Sequence, residues 1–170
     1  MLHVETTYVL PARKKTSNLY FNIGNPQNIS MPSYNEATIM RVDVKTGVLE
    51  NVASGVRNSV GFDWHPATKQ LWFTEHGRDW LGTDLPADEL NVVTRKGQHF
   101  GFPFCHQGDT LDPIFGKNRS CNEFTPPVVK LGAHVAPDGI RCDGSLLESD
   151  DHNGIVYRVS HKGSPVSAKK

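Results

Sequence analysis

Thr38-Ile39-Met40-Arg41-Val42, followed by Lys45 and Gly47, returns late in the chain as Ile155-Val156-Tyr157-Arg158-Val159, followed by Lys162 and Gly163. A second echo links Leu71-Trp72-Phe73-Thr74-Glu75 with Leu146-Leu147-Glu148-Ser149-Asp150, and more loosely with Leu19-Tyr20-Phe21-Asn22. Each unit reads as a turn, a strand ending in a small polar or acidic residue, and a strand of form x-Arg-Val. A four-stranded unit recurring every ~40–50 residues is the pattern of a β-propeller, whose blades bury their faces only against neighbours. The 170 residues hold about three to four such blades. The expected fold is therefore all-β, a partial β-propeller of four-stranded antiparallel sheets. The competing reading is a β-sandwich whose strands happen to share Arg-Val.

The rest of the chain agrees with strands and turns. Short apolar or alternating runs bounded by Gly, Pro, Asn and Asp recur, and helical periodicity is hard to find. Val60–Trp64 and Leu71–Thr74 flank a turn at His65–Lys69, which predicts a hairpin. Alternation in Thr38–Val44 predicts Met40, Val42 and Val44 on one face and Arg41 and Asp43 on the other. Residues 104–130, rich in Pro, Gly and Asn, read as a long loop. Gly and Pro together make 26 residues (15 and 11), a turn-rich content that does not reach the level of disorder.

Charge and hydropathy exclude several functions. Eighteen basic residues balance eighteen acidic ones, so the basic excess of a nucleic-acid binder is missing. The longest apolar runs are a few residues, too short for a membrane span. The first residues, MLHVETTYVLPARKK, lack the charged-then-apolar order of a secretory signal. No G-x-G-x-x-G, P-loop or G-x-S-x-G occurs, and the histidines lack H-E-x-x-H spacing, which removes the usual nucleotide, hydrolase and zinc signatures.

Polar residues with chemical potential concentrate between 55 and 89. Arg57-Asn58 precedes a strand, where a propeller sets residues at the mouth of its central channel. A guanidinium there is a planar fork for carboxylates, and Asn adds a neutral donor and acceptor; the plainer reading is a turn Asn beside a surface Arg. Glu75-His76-Gly77-Arg78-Asp79 ends the next strand, and Asp84, Asp88 and Glu89 follow. Carboxylates with loop carbonyls suit a hard cation such as Ca2+, although the spacing is not that of an EF-hand and a solvated acidic loop reads equally well. His3 stands almost at the start, ahead of a strand at Tyr8-Val9, and a pKa near neutrality would suit a general base; an exposed terminal histidine is the default. Cys105 and Cys121 lie sixteen residues apart across the 104–130 loop, which a disulfide would constrain and which would imply an oxidising compartment. Cys142 is left over.

Three long stretches carry a family resemblance: GVRNSVGFDWHPATKQLWFTEHGRDWLGTDLPADELNVV, GQHFGFPFCHQGD and RSCNEFTPPVVKLGAHVAP. Together with the surrounding residues 19–141 and 143–160, they resemble the glucose/sorbosone dehydrogenases, the quinoprotein sugar dehydrogenases and their sorbosone-dehydrogenase-like relatives. The resemblance implies a six-bladed propeller that oxidises an aldose or related sugar or aldehyde using pyrroloquinoline quinone (PQQ) and Ca2+, with an external electron acceptor. It implies that Arg57 and Asn58 contact the cofactor's polar edge, that the carbonyls of Gly77 and Arg78 face the cofactor-bound Ca2+, and that Asp88 contacts the cofactor. Glu89 falls at a structural Ca2+ site, His76 replaces a cofactor-contacting Gln, and His3 falls where the catalytic base precedes a strand.

The same resemblance sets expectations about extent. Members are usually periplasmic or secreted, and no signal peptide is visible here. Six blades need more residues than this chain has, so residues 1–170 read as one incomplete propeller domain, shortened at its start. An internal deletion junction is expected near 141–143, where Cys142 meets a last-blade-like segment. Open blade edges would favour self-association as a homo-oligomer. The alternative function is a non-catalytic binding or structural module derived from a propeller.

Overall fold

The computed structural model describes residues 8–9, 18–142, 146–150 and 154–159. Three larger sheets and one two-stranded hairpin form among the described residues. The first contains β1 (Tyr8–Val9), β2 (Asn18–Ile23), β3 (Thr38–Asp43) and β4 (Leu49–Ser54) as an antiparallel meander, to which β8 (Gln98–His99) adds in parallel beside β4. The second contains β5 (Phe62–Trp64), β6 (Leu71–Glu75), β7 (Ala87–Val93) and β11 (Val129–Ala133), also antiparallel. The third contains β12 (Pro137–Cys142), β13 (Leu146–Asp150) and β14 (Ile155–Val159). This is an all-β partial β-propeller.

The internal echoes in the sequence correspond to equivalent places in the blades. The three Leu-initiated runs fall in β2, β6 and β13, each the second strand of its sheet. The two x-Arg-Val runs are β3 and β14, each the third. The predicted hairpin forms between β5 and β6, with Phe62 opposite Phe73 and Trp64 opposite Leu71. The N–H of His65 donates to the Gln70 carbonyl to close it.

The core lies between the first two sheets. Ile39, Val52, Ala53 and Val56 meet Phe62, Leu71, Phe73 and Phe100, all buried. Phe73 and Phe100 pack edge to face with centroids 4.9 Å apart, a favoured aromatic geometry. The second and third sheets meet where β5 and β6 pack on β12. Gly61 permits this approach, because a Cβ there would overlap the carbonyl oxygen of Asp138.

Two expectations need correction. Val44 does not share a buried face with Met40; it is 65% exposed. The strand ends at Asp43, whose Oδ1 accepts the N–H groups of Lys45 and Thr46 and turns the chain outward. Ile39 and Met40 are both buried although they point to opposite faces of β3; the register shift lies in β4, where Val52 is the extra residue between Asn51, opposite Met40, and Ala53, opposite Ile39. Residues 104–130, expected as one loop, contain the short hairpin of β9 (Cys105–His106) and β10 (Thr110–Leu111) and a 3-10 turn at Cys121–Glu123. The Cys105–Cys121 disulfide is formed, with Cα atoms 5.5 Å apart. The expected junction region falls at the β12–β13 hairpin, where Cys142 pairs with Leu146.

Candidate functional site at one end of the blades

The segment before β5 is fixed from below. The buried Asn22 on β2 donates to the Thr38 carbonyl and accepts the Ser59 N–H, and the Asn25 N–H donates to the Arg57 carbonyl at 2.8 Å. The Arg57 N–H in turn donates to Glu75 Oε1 at 2.7 Å. Arg57 and Asn58 are thereby held at the seam between the first and second sheets.

Around them lies a cavity of about 340 Å3, lined by Asn25, Gln27, Asn28, Arg57, Asn58 and Asp79 among others. The Arg57 guanidinium spreads over one wall: Nε donates to the Asn28 carbonyl at 2.9 Å, and Nη1 to the carbonyls of His76 and Gly77 at 3.3 and 3.0 Å. Burial pushes its pKa down, opposed by the nearby Asp79, Glu75 and Asp88 charges; it stays cationic at any working pH. Gly24 lies close by, where a Cβ would approach Asn58 Oδ1 at 3.0 Å.

His76 joins this cluster from the end of β6. Its N–H donates to the Asn58 carbonyl at 2.9 Å, and Nε2 lies 3.3 Å from the Pro137 carbonyl and 3.4 Å from Asp138 Oδ1. Asp88, at the start of β7, accepts the Gly77 N–H on Oδ1 and the Ala136 N–H on Oδ2. Burial raises its pKa, and those donors oppose the rise. Arg57, Asn58, His76, Gly77 and Asp88 are thus brought together from separate strand ends. The Arg78 side chain instead turns inward, where Nη1 meets Asp112 Oδ2 at 2.6 Å beside His106. His3 lies outside the described residues.

Glu89 sits deeper, under the site. It faces Glu75 across β6–β7, and Asn91 Nδ2 donates to both carboxylates, at 2.9 Å to Glu89 and 3.4 Å to Glu75. Desolvation raises Glu89 to about 7, and desolvation with the Glu89 charge pushes Glu75 well above the usual range. Two buried carboxylates this close favour sharing protons or a cation.

Sequence reasoning passed over Asn28, Asp112 and Asn91. Asn28 Oδ1 accepts from Arg57 Nη2 and from the Asp79 N–H, the second a partnership across 51 residues that no local spacing announces. Asn91 was visible only as a polar interruption in an apolar strand.

The fixed positive charge of Arg57 and the polar lining of the cavity suit an anionic, planar, oxygen-rich group such as a quinone cofactor, although the Arg57 N–H groups are largely engaged by Asn28, His76 and Gly77. Among the described residues there is no group of three or more His, Cys, Asp or Glu side chains placed to hold a metal. A cation at this mouth would therefore draw its oxygens from backbone carbonyls and from the bound ligand itself.

A partial propeller with a polar pocket at one end of its blade seam is the class that fold and site define. A model of the glucose/sorbosone dehydrogenase family matches residues 41–147, more than half the chain, and the chain belongs to that family. An uncharacterised protein of Borreliella burgdorferi is 41% identical over 136 residues, covering 74% of this chain and 34% of that protein. Among solved structures, a Trichoderma reesei enzyme of carbohydrate-active family AA12, in its calcium structure, superposes with a TM-score of 0.74 at 22% identity, over 85% of this chain and 48% of that one. A putative oxidoreductase (glucose dehydrogenase) of Thermus thermophilus gives a TM-score of 0.65 at 21% identity, over 86% and 46%. At these identities the structural likeness speaks for the fold. The chain spans about a third of the length of the Borreliella protein and about half that of these solved relatives.

Proposed function

We propose that this chain forms part of a quinoprotein sugar dehydrogenase that oxidises an aldose or related sugar or aldehyde with PQQ and Ca2+. The observation that carries the reading is the Arg57–Asn58 wall of the polar cavity, bridged by His76 to the neighbouring blade. PQQ, when bound, supplies an electrophilic carbonyl that accepts hydride, and an external acceptor then removes the electrons. Arg57 presents fixed positive charge to the ligand's polar edge and stabilises the charge that develops there. Asn58 adds a neutral hydrogen-bonding partner, and His76 borders the same space. Asp88 anchors the His76–Gly77 peptide through the Gly77 N–H. The Gly77 carbonyl, which also accepts from Arg57 Nη1, and the Arg78 carbonyl would face a cation, and Glu89 would serve a second, structural Ca2+. His3 takes the role of the base that removes the substrate hydroxyl proton. A periplasmic or secreted location accords with the Cys105–Cys121 disulfide.

The test is PQQ binding followed by its visible absorption, with Ca2+ present, on the native chain and on Arg57→Ala and His3→Ala. The reading expects Arg57→Ala to weaken binding at least tenfold, and His3→Ala to bind normally but lose turnover with aldoses. Absence of PQQ binding by the native chain would sink it. The second reading, a non-catalytic propeller module, draws on Arg57 Nε, Nη1 and Nη2 all being engaged by the chain itself. It expects Ca2+ binding without PQQ binding.

A further inference from the structure

A second cavity, of about 270 Å3, opens at the opposite end of the same two sheets. Its floor is apolar and aromatic: Tyr20 from β2, Val52 from β4, Trp64 from the end of β5, and Leu71 and Val93 from β6 and β7. Its rim carries four cations, Arg41, Lys69, Arg95 and Lys96. β6 runs from Leu71, which lines this cavity, to Glu75, which holds the Arg57 N–H, so the two sites stand at least roughly 13 Å apart. Both walls lie in the first two sheets and do not depend on the third.

The charges are not balanced locally. Glu50 is paired with Arg41, and Lys96 Nζ lies 3.2 Å from its Oε1. Lys69 donates to the neutral Pro66 carbonyl, and neither it nor Arg95 has an ion pair with a described carboxylate. Two positive charges thus remain at the rim of a cavity with an aromatic floor.

The loops that carry these charges are braced. Gln98 Oε1 accepts the N–H groups of Thr94 and Arg95, at 2.6 and 2.9 Å, and holds the 94–97 turn. His65 Nδ1 accepts the N–H groups of Ala67 and Thr68, and the His65 carbonyl accepts the Lys69 N–H at 2.9 Å. Tyr20 and Trp64 fix each other edge to face, with centroids 4.9 Å apart. Fixing the backbone beneath flexible cations reduces the ordering cost of binding an anion.

We infer that this far-end cavity binds a small ring-bearing organic anion, a phosphorylated or carboxylated monosaccharide. The sugar ring packs against the apolar wall formed by Tyr20, Trp64 and Leu71, and the anionic group sits between Lys69 and Arg95. The volume falls just under the range of about 300–1,000 Å3 of ordinary small-molecule sites, so one ring fits and a dinucleotide does not. Lysine and arginine at the rim suit phosphate or carboxylate oxygens, and the aromatic floor discriminates against bare inorganic ions. This site is separate from the quinone reading and stands without it.

The experiment is isothermal titration calorimetry of the native chain with glucose 6-phosphate, glucuronate, glucose and inorganic phosphate, repeated on Lys69→Glu/Arg95→Glu. Both substituted side chains are exposed, and circular dichroism checks that the variant folds. The expected result is that glucose 6-phosphate or glucuronate binds at least tenfold tighter than glucose and than inorganic phosphate. Which of the two prevails identifies the anionic group. The double variant is expected to lose at least tenfold. Equal binding of glucose, equal binding of inorganic phosphate (an adventitious ion only), or unchanged binding by the double variant would each overturn the inference.

Discussion

Glu75 and Glu89 stand directly opposite one another on β6 and β7, buried, with the amide nitrogen of Asn91 hydrogen-bonded to both carboxylates. Neither forms an ion pair with a described cation, so ionising both is opposed by desolvation and by their mutual repulsion. In the folded chain Glu89 titrates at about 7 against an ordinary value of 4.5, so the folded state holds its proton over that interval and the unfolded state does not. The resulting stabilisation is fully present below pH 4.5 and is lost as pH rises through about 7. Thermal melts in chelator should show a midpoint that falls across this window. Glu89→Gln should flatten the fall, and an unchanged slope in that variant would refute the shared-proton account. Added Ca2+ should reduce the fall in the native chain, because a cation favours the ionised pair.

Asp112 is the acidic counterpart with the opposite behaviour. Burial pushes its pKa up, but the Phe115 N–H, His106, Arg78 and the Ile114 N–H outweigh burial and hold it at about 2. Asp112→Ala would leave Arg78 buried without its counter-charge, at a cost of about 3–5 kcal/mol. Chemical denaturation measures this directly, and a loss below about 1 kcal/mol, the scale of an exposed pair, would mean that Arg78 finds another partner. Stability from Asp112 should be lost only as pH falls from 3.8 toward about 2, well separated from the Glu89 window.

Reducing the Cys105–Cys121 disulfide should lower stability by about 3 kcal/mol on chain-entropy grounds for a sixteen-residue separation. The change should appear as a lower urea midpoint with dithiothreitol. An unreduced digest should yield the two linked peptides; recovery of both cysteines as alkylated thiols would contradict the bridge.

Gly61→Ala places a methyl group against the Asp138 carbonyl at the contact of β5 with β12. The expected effect is about 1–3 kcal/mol of overpacking strain, with faster amide exchange concentrated in β12 rather than in β2 to β4. Uniform exchange throughout would argue that the third sheet is not seated on β5.

The parts of the fold that could be read in advance are those where period and position coincide. β2, β3, β6 and β14 are runs whose apolar residues and flanking turns agree with their place in the blade. β4 was hidden because Glu50 and Asn51 interrupt its alternation and the extra residue Val52 breaks its register with β3. β12 was hidden because Pro137, Asp138 and Gly139 are turn-forming residue types, while they enter the sheet at its irregular end. In the site, Arg57, Asn58, His76 and Asp88 were singled out through the family resemblance, and the fold brings them together because each lies next to a strand end. Asn28 and Asp112 were not, since each acts through Arg57 or Arg78, partners 29 and 34 residues away. Chemistry made by convergence of distant segments leaves no spacing to count.

The path from β7 to β11 has a consequence for how this molecule could be divided or duplicated. After leaving the second sheet at Val93, the chain pairs β8 with β4 of the first sheet, then returns through the disulfide-linked segment to supply β11 as the edge of the second. The two sheets are interlaced like links of a chain and cannot be separated by a single cut. A recombination point between Ser54 and Phe62 would strip the first sheet of its parallel strand, and one between Val93 and Val129 would strip the second of its edge. The smallest transplantable piece is consequently the pair, residues 18–133.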